Sequence, residues 1–223
     1  GTSGSSGTSG ADGTSGSSGT SGDSGSSGSS GTSGADGASG PIGPFEYNTP
    51  ANTDSGIKPV SGSNVTAGCI STIAGGVENE IDVNSTGSFI GGGRCNIIVD
   101  DSDYSTILGG NLHVICDSKC STIGGGYHAN IVNSNFGTIA GGCQKATGIT
   151  DSVAGTIIGG CNNTILNSNA AVVGGGYSND ISSSVCSAVL GGFDNSIADS
   201  AQSLIGGGTI NCVYLSEIGR AHV

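Results

Sequence analysis

Ile123-Gly124-Gly125-Gly126-Tyr127 is one of nine copies of a stretch whose reading decides the fold. Counted to the last glycine of each, the copies end at Gly76, Gly93, Gly110, Gly126, Gly142, Gly160, Gly176, Gly192 and Gly208. The intervals are 17, 17, 16, 16, 18, 16, 16 and 16 residues. Self-similarity at a fixed period marks a unit that buries its apolar face only by stacking on its neighbours.

Positions counted from that last glycine give the columns of the stack. Three before it stand Ile73, Ile90, Ile107, Ile123, Ile139, Ile157, Val173, Val189 and Ile205. Five after it stand Ile81, Ile98, Ile115, Ile131, Thr147, Ile165, Ile181, Ile197 and Val213. Three after it, asparagine recurs at 79, 96, 163, 179, 195 and 211. Eight after it stand Ser118, Ser134, Ser168, Ser184, Ser200 and Ser216, with Asn84, Asp101 and Thr150 in the remaining copies. β-Branched residues separated by turn formers read as short strands, not helices. Each repeat therefore predicts two strands, one around Ser-Thr-Ile and one around Asn-x-Ile. The glycine pair turns one corner, where positive φ is needed, and the Ser/Asn/Asp pair turns the other. The expected fold is all-β: a parallel β-roll or β-solenoid of about nine rungs over residues 67–216.

Side chains alternate across a strand, so the residues beside the inward isoleucine face outward. Four before the last glycine these are Thr72, Phe89, Thr106, Thr122, Thr138, Thr156, Val172, Ala188 and Leu204. Two before it they are Ala74, Gly91, Leu108, Gly124, Ala140, Ile158, Gly174, Leu190 and Gly206. Such a face is too apolar to stay wet, and packing against two further copies of the chain, a homotrimer, accounts for it. An outward threonine column also fits an ice-binding face, but Val172, Ala188 and Leu204 interrupt it.

From Gly1 to Gly43 every third residue is glycine. That register suits three polyproline II chains packed about one axis, where only glycine fits. Residues 1–45 are thus expected to form a triple-helical Gly-X-Y stalk, roughly 130 Å long as a rod. Proline occurs there only at Pro41 and Pro44. A flexible Gly/Ser linker is the competing reading, but a linker has no reason to hold the register. Residues 46–66 break the triplets and form a junction. The lack of an initiating Met and the start within the triplets predict a piece of a longer chain. Residues 217–223 leave the last rung abruptly, so Val223 is expected to be a processed end.

With 17 acidic against five basic residues, the chain is a poor match for a phosphate backbone, so no nucleic-acid partner is expected. No run of about 20 apolar residues occurs, so membrane insertion is not expected either. Eight cysteines fit an oxidising compartment or serve as small buried apolar residues.

The triplets resemble the collagen-like stalks of bacterial and viral surface proteins. The Ser-x-Ile-x-Gly-Gly…Asn-x-Ile repeat resembles the head repeats of trimeric autotransporter adhesins, and those of phage and large-virus fibres. The resemblance implies a non-catalytic structural fibre or filament protein, extracellular and on a cell or virion surface, serving attachment. It also implies head-to-tail assembly and a cell-surface or glycan ligand as partners to test. A tailspike-like protein that binds or degrades polysaccharide is the alternative. Its two carboxylates would come from residues such as Glu78, Glu80 and Asp82.

Site candidates are few, and no cofactor is expected. Asp100, Asp101 and Asp103 could hold a Ca²⁺ with backbone carbonyls, or serve as turn residues. His113, His128 and His222 lack metal-site spacing and read as surface or interface histidines. Cys143 and Cys161 each follow the glycine pair in successive rungs; stacked about 4.8 Å apart, they can form a disulfide or a thiol pair. Cys116 and Cys120 flank the corner Asp117-Ser118-Lys119 and are a second candidate pair. Asn64, Asn84 and Asn162 begin N-glycosylation triplets.

Overall fold

The computed structural model describes residues 45–47, 57–59 and 62–214, without the side chains of 46–47 and 144–147. Residues 1–44 and 215–223, and with them the expected stalk, Ser216, His222 and Val223, lie outside the described residues.

Each rung contributes one strand to each of two parallel sheets. The first sheet holds the Thr-Ile strands, from Thr72–Ile73 through Thr122–Ile123 to Leu204–Ile205. Identical positions pair across rungs, Thr122 with Thr106 and Thr138. The second sheet holds the Asn-x-Ile strands, from Val65–Thr66 through Ile97–Val99 and Thr164–Leu166 to Cys212–Tyr214. Strands Ile57–Pro59 and Val65–Thr66, placed in the junction by sequence, already belong to these sheets, so the solenoid has about ten turns. An antiparallel pair, Phe45–Tyr47 with Ile57–Pro59, covers one edge of the first sheet, protecting backbone groups that an open edge would offer to another strand.

The two isoleucine columns meet between the sheets. Ile73, Ile90, Ile107 and Ile123 of one face Ile81, Ile98, Ile115 and Ile131 of the other, all fully buried. β-Branched side chains with one preferred rotamer stack on themselves at strand spacing without loss of fit. Burying each contributes about 1.5–3 kcal/mol.

The corners explain the rest of the repeat. The last glycine of each copy has positive φ, 84° at Gly160 and 86° at Gly176. The Asp/Asn/Ser corner uses the same conformation at Asp117, Asn133, Asp151, Asn167, Ser183 and Asp199. Asn and Asp tolerate the left-handed region better than other L-residues. A further column at that corner carries it on Tyr104, Cys120, Phe136, Ala154, Ala170, Cys186 and Gln202. There the N–H turns back to the preceding rung: Tyr104 N donates to Thr86 O at 2.8 Å and Phe136 N to Lys119 O at 2.9 Å.

Two column assignments need correction. Ile149, not Thr147, continues the isoleucine column of its rung, paired with Ile131 and Ile165. The extra residues of this 18-residue rung sit just after Cys143, where the pairing register shifts. Likewise Ser85, Ser102 and Ser152, not Asn84, Asp101 and Thr150, continue the serine column. In the first two rungs one added residue widens the corner, with Asp100 and Asp101 both at positive φ in the second.

Candidate functional site

Inside the corners the solenoid carries hydrogen-bonded ladders of polar side chains. Asn163 Oδ1 accepts the backbone N–H of Asn179, and Asn179 Oδ1 accepts that of Asn195. Each carboxamide then donates to two corner carbonyls, Asn179 Nδ2 to Gly175 O at 2.8 Å and Gly192 O at 3.1 Å. At the opposite corner Ser85, Ser102, Ser118, Ser134, Ser152, Ser168, Ser184 and Ser200 form an unbroken series. Each hydroxyl accepts the N–H of the next serine. A buried backbone group without a partner is costly, so the recurrent Asn and Ser are structural, and they consume the polar groups a ligand would otherwise meet.

This assigns two sequence candidates to the interior. Asn64 is buried at the head of the asparagine ladder; its Nδ2 donates to Gly76 O at 2.8 Å and its Oδ1 accepts Asn79 N–H at 3.0 Å. A sugar cannot sit on that nitrogen in the folded solenoid. His113, read from sequence as a surface or interface histidine, is instead fully buried in the asparagine column. Burial pushes its imidazole below the usual histidine range, with neighbouring His128 adding to the effect. Asn84 is exposed, and Asn162 donates to Ser178 Oγ at 3.3 Å.

The three aspartates do not converge on one point. Asp100 accepts the Cys116 thiol, while Asp103 accepts Thr86 N–H at 2.9 Å and Lys119 Nζ at 3.1 Å. The Thr86 N–H, then Lys119, hold the Asp103 carboxyl below its usual range. Asp100 and Asp101 line an open hollow of about 460 Å³ with Asn84, Cys116, Asp117, Val132 and Asn133, without Asp103. Glu78 is exposed; Cys95 and Arg94 lower its carboxyl. Glu80 is exposed on its strand, and Asp82 accepts the N–H groups of Asn84 and Asp100.

Cys143 and Cys161 are joined, Cα to Cα 4.8 Å, across a parallel bridge. Cys116 and Cys120 are both free thiols. The strand Val114–Cys116 carries Cys116 outward toward Asp100, while Cys120 is exposed at the corner.

The outward faces differ in charge. On the first sheet none of the eighteen positions four and two before the last glycine is charged, and Leu108, Ile158 and Leu190 there are 58%, 57% and 56% exposed. The second sheet's outer face carries Glu80, Asp82 and Asp180.

Residues 1–47 match the Collagen triple helix repeat (20 copies). A collagen triple helix takes three chains, so the repeat implies a trimeric assembly, and it suggests an extracellular protein. Among the described residues no helix is long and apolar enough to cross a membrane. No curated protein matches the chain. Collagen repeats joined to a β-solenoid suggest a structural fibre protein.

Proposed function

We propose that the chain is the subunit of a homotrimeric surface fibre, in which the collagen-like stalk carries three solenoid heads and the heads attach to a cell or surface ligand without catalysis. The uncharged, exposed face of the first sheet supports the homotrimeric part of this reading most directly. A solenoid whose polar side chains are spent on internal ladders has rigidity to offer, not reactive groups. The lowered carboxyls of Glu78 and Asp103 agree, since a glycosidase acid needs its carboxyl raised. A stalk that holds three copies of a weak surface together converts modest affinity into avidity.

Electron microscopy of the full chain, paired with binding to a panel of immobilised surface glycans, tests the proposal. Expected are rods ending in one compact head mass, and binding that depends on the trimer. Depolymerisation of a bound polysaccharide by the purified chain would overturn the non-catalytic reading.

A further inference from the structure

We propose that the uncharged face of the first sheet, together with the glycine column along its edge, is the surface on which the other two copies of this chain dock, with the neighbouring backbone in close approach to the glycines. The inference rests on the trimeric reading and adds where the heads touch.

Adjacent glycines of the corner differ in what holds them. At Gly160 φ is 84°, and an added Cβ would lie 2.1 Å from Gly176 O. The chain's own fold demands glycine there. At the preceding position, Gly159, φ lies outside the left-handed region and an added Cβ would meet nothing within 4 Å. Gly109, Gly175 and Gly191 behave the same way, whereas Gly92, Gly125 and Gly207 have φ of 158°, 159° and 154°, where the backbone itself favours glycine. Yet this position is glycine in all nine rungs, while the residues two before and one after the last glycine vary freely. Glycine carries an entropic cost, so its retention at the corner positions whose own backbone and packing do not require it points to a surface approached closely from outside.

The flanks fit an apolar neighbour. On one side stand the exposed Leu108, Ile158 and Leu190, and on the other Tyr127, Tyr177 and Phe193, also exposed. Tyr177 and Phe193 stack at 5.4 Å, making one wall continuous over two rungs. Nine strands at about 4.8 Å give the face a length of roughly 38 Å. The occupant follows from the N-terminal match: residues 1–47 carry a repeat that assembles three chains, which delivers two further copies of this same face to its neighbourhood. The second sheet is the poorer face, because like charges at Glu80, Asp82 and Asp180 would be brought together around a three-fold axis.

The test turns on a sign. In the full chain, Gly159→Ala, Gly175→Ala and Gly191→Ala are combined, and thermal unfolding is followed with native mass spectrometry. If nothing docks on the column, these changes restrict the unfolded chain and raise the midpoint by roughly 2–12 °C. If neighbours dock there, each methyl meets backbone and the midpoint falls by roughly 5–10 °C. Gly159→Leu is expected to lower it further, while Ser182→Leu, on the second sheet, leaves it unchanged. A parent trimer whose midpoint rises in the triple-alanine variant overturns the docking face and leaves the stalk trimer standing. A monomeric parent chain overturns the trimeric reading itself.

Discussion

His113 accepts the backbone N–H of Ala129 on Nδ1 at 3.0 Å, so an imidazole stands in for the asparagine carboxamide that serves the neighbouring rungs. The match is incomplete. Nδ1 can accept only when neutral, which leaves the proton on Nε2, and Nε2 is buried beside Gly110, where the Gly126 carbonyl is near but not in good hydrogen-bond geometry. Protonation would turn Nδ1 into a donor facing a donor. The folded state thus holds its pKa below the unfolded value of about 6.5. A depressed pKa gives stability that is full above the unfolded value and is lost as pH falls through the folded one. His113→Asn supplies a second donor toward the corner carbonyls, and is expected to stabilise by about 1 kcal/mol. Thermal unfolding from pH 7.5 to 5 should fall in the parent and flatten in the variant. Loss at still lower pH persists in both, because Asp103, lowered by Thr86 N–H, titrates there.

Asn179 lies mid-ladder, with Asn163 on one side and Asn195 on the other. Leucine there is apolar and of similar size, but it strands the N–H of Asn195 and the carbonyl of Gly175, while Gly192 O keeps the N–H of Tyr177. Each unsatisfied buried group costs about 1–3 kcal/mol, so Asn179→Leu is expected to destabilise by about 3 kcal/mol or more. Denaturant titration measures it. Tyr177→Leu, one wall position away and exposed, should cost far less.

These ladders mark where sequence reasoning stopped. The isoleucine columns, strand type and corners were legible because period and β-branching carry them directly. The asparagines were visible as a column, but their inward direction was not, since Asn is ordinarily a turn residue on the surface. His113 falls in that same column, three after Gly110, and that register was the signal for its burial. Fixed counting from glycine failed at Thr147 and at Asn84 and Asp101. There, residues inserted after Cys143 and at the serine corner slide the chain without moving the inward column. Of the site, the Cys143/Cys161 stacking followed from register alone, whereas the scatter of Asp100, Asp101 and Asp103 among separate partners did not.

Phe136 sits at the corner with φ 60° and is 59% exposed. A left-handed conformation costs an ordinary L-residue about 1–2 kcal/mol, and an exposed ring recovers little of it by packing. Phe136→Gly is expected to stabilise the solenoid by up to about 1 kcal/mol, the gain being reduced by the greater freedom of glycine when unfolded. Phe136→Val is expected to destabilise, because a β-branched residue is the poorest fit to that region. Chemical denaturation of the pair separates backbone strain from loss of an aromatic.

Cys116 and Cys120 are four residues apart, yet their thiols should differ in reactivity. Burial, then the Asp100 carboxylate that accepts its hydrogen bond, pushes Cys116 up to about 11. The thiolate is the nucleophile, so at pH 8 Cys116 should be alkylated more slowly than exposed Cys120 and Cys186. Asp100→Asn removes the carboxylate and should speed Cys116 while leaving the other two unchanged. Timed labelling with peptide mapping reads all three.

The Cys143–Cys161 bond joins the one 18-residue rung to its regular successor. The pairing register of the strand Cys143–Thr150 against Tyr127–Val132 shifts just beyond Cys143, so the bond clamps the stack beside its largest irregularity. Closing a loop of this size restricts the unfolded chain and is worth about 3 kcal/mol in the chain-entropy account. Reduction, or Cys143→Ser with Cys161→Ser, is therefore expected to lower stability by up to that amount. The decisive control is that reductant leaves the double-serine variant unchanged. A reductant effect that persists there would assign the stabilisation to bonds among the remaining cysteines instead.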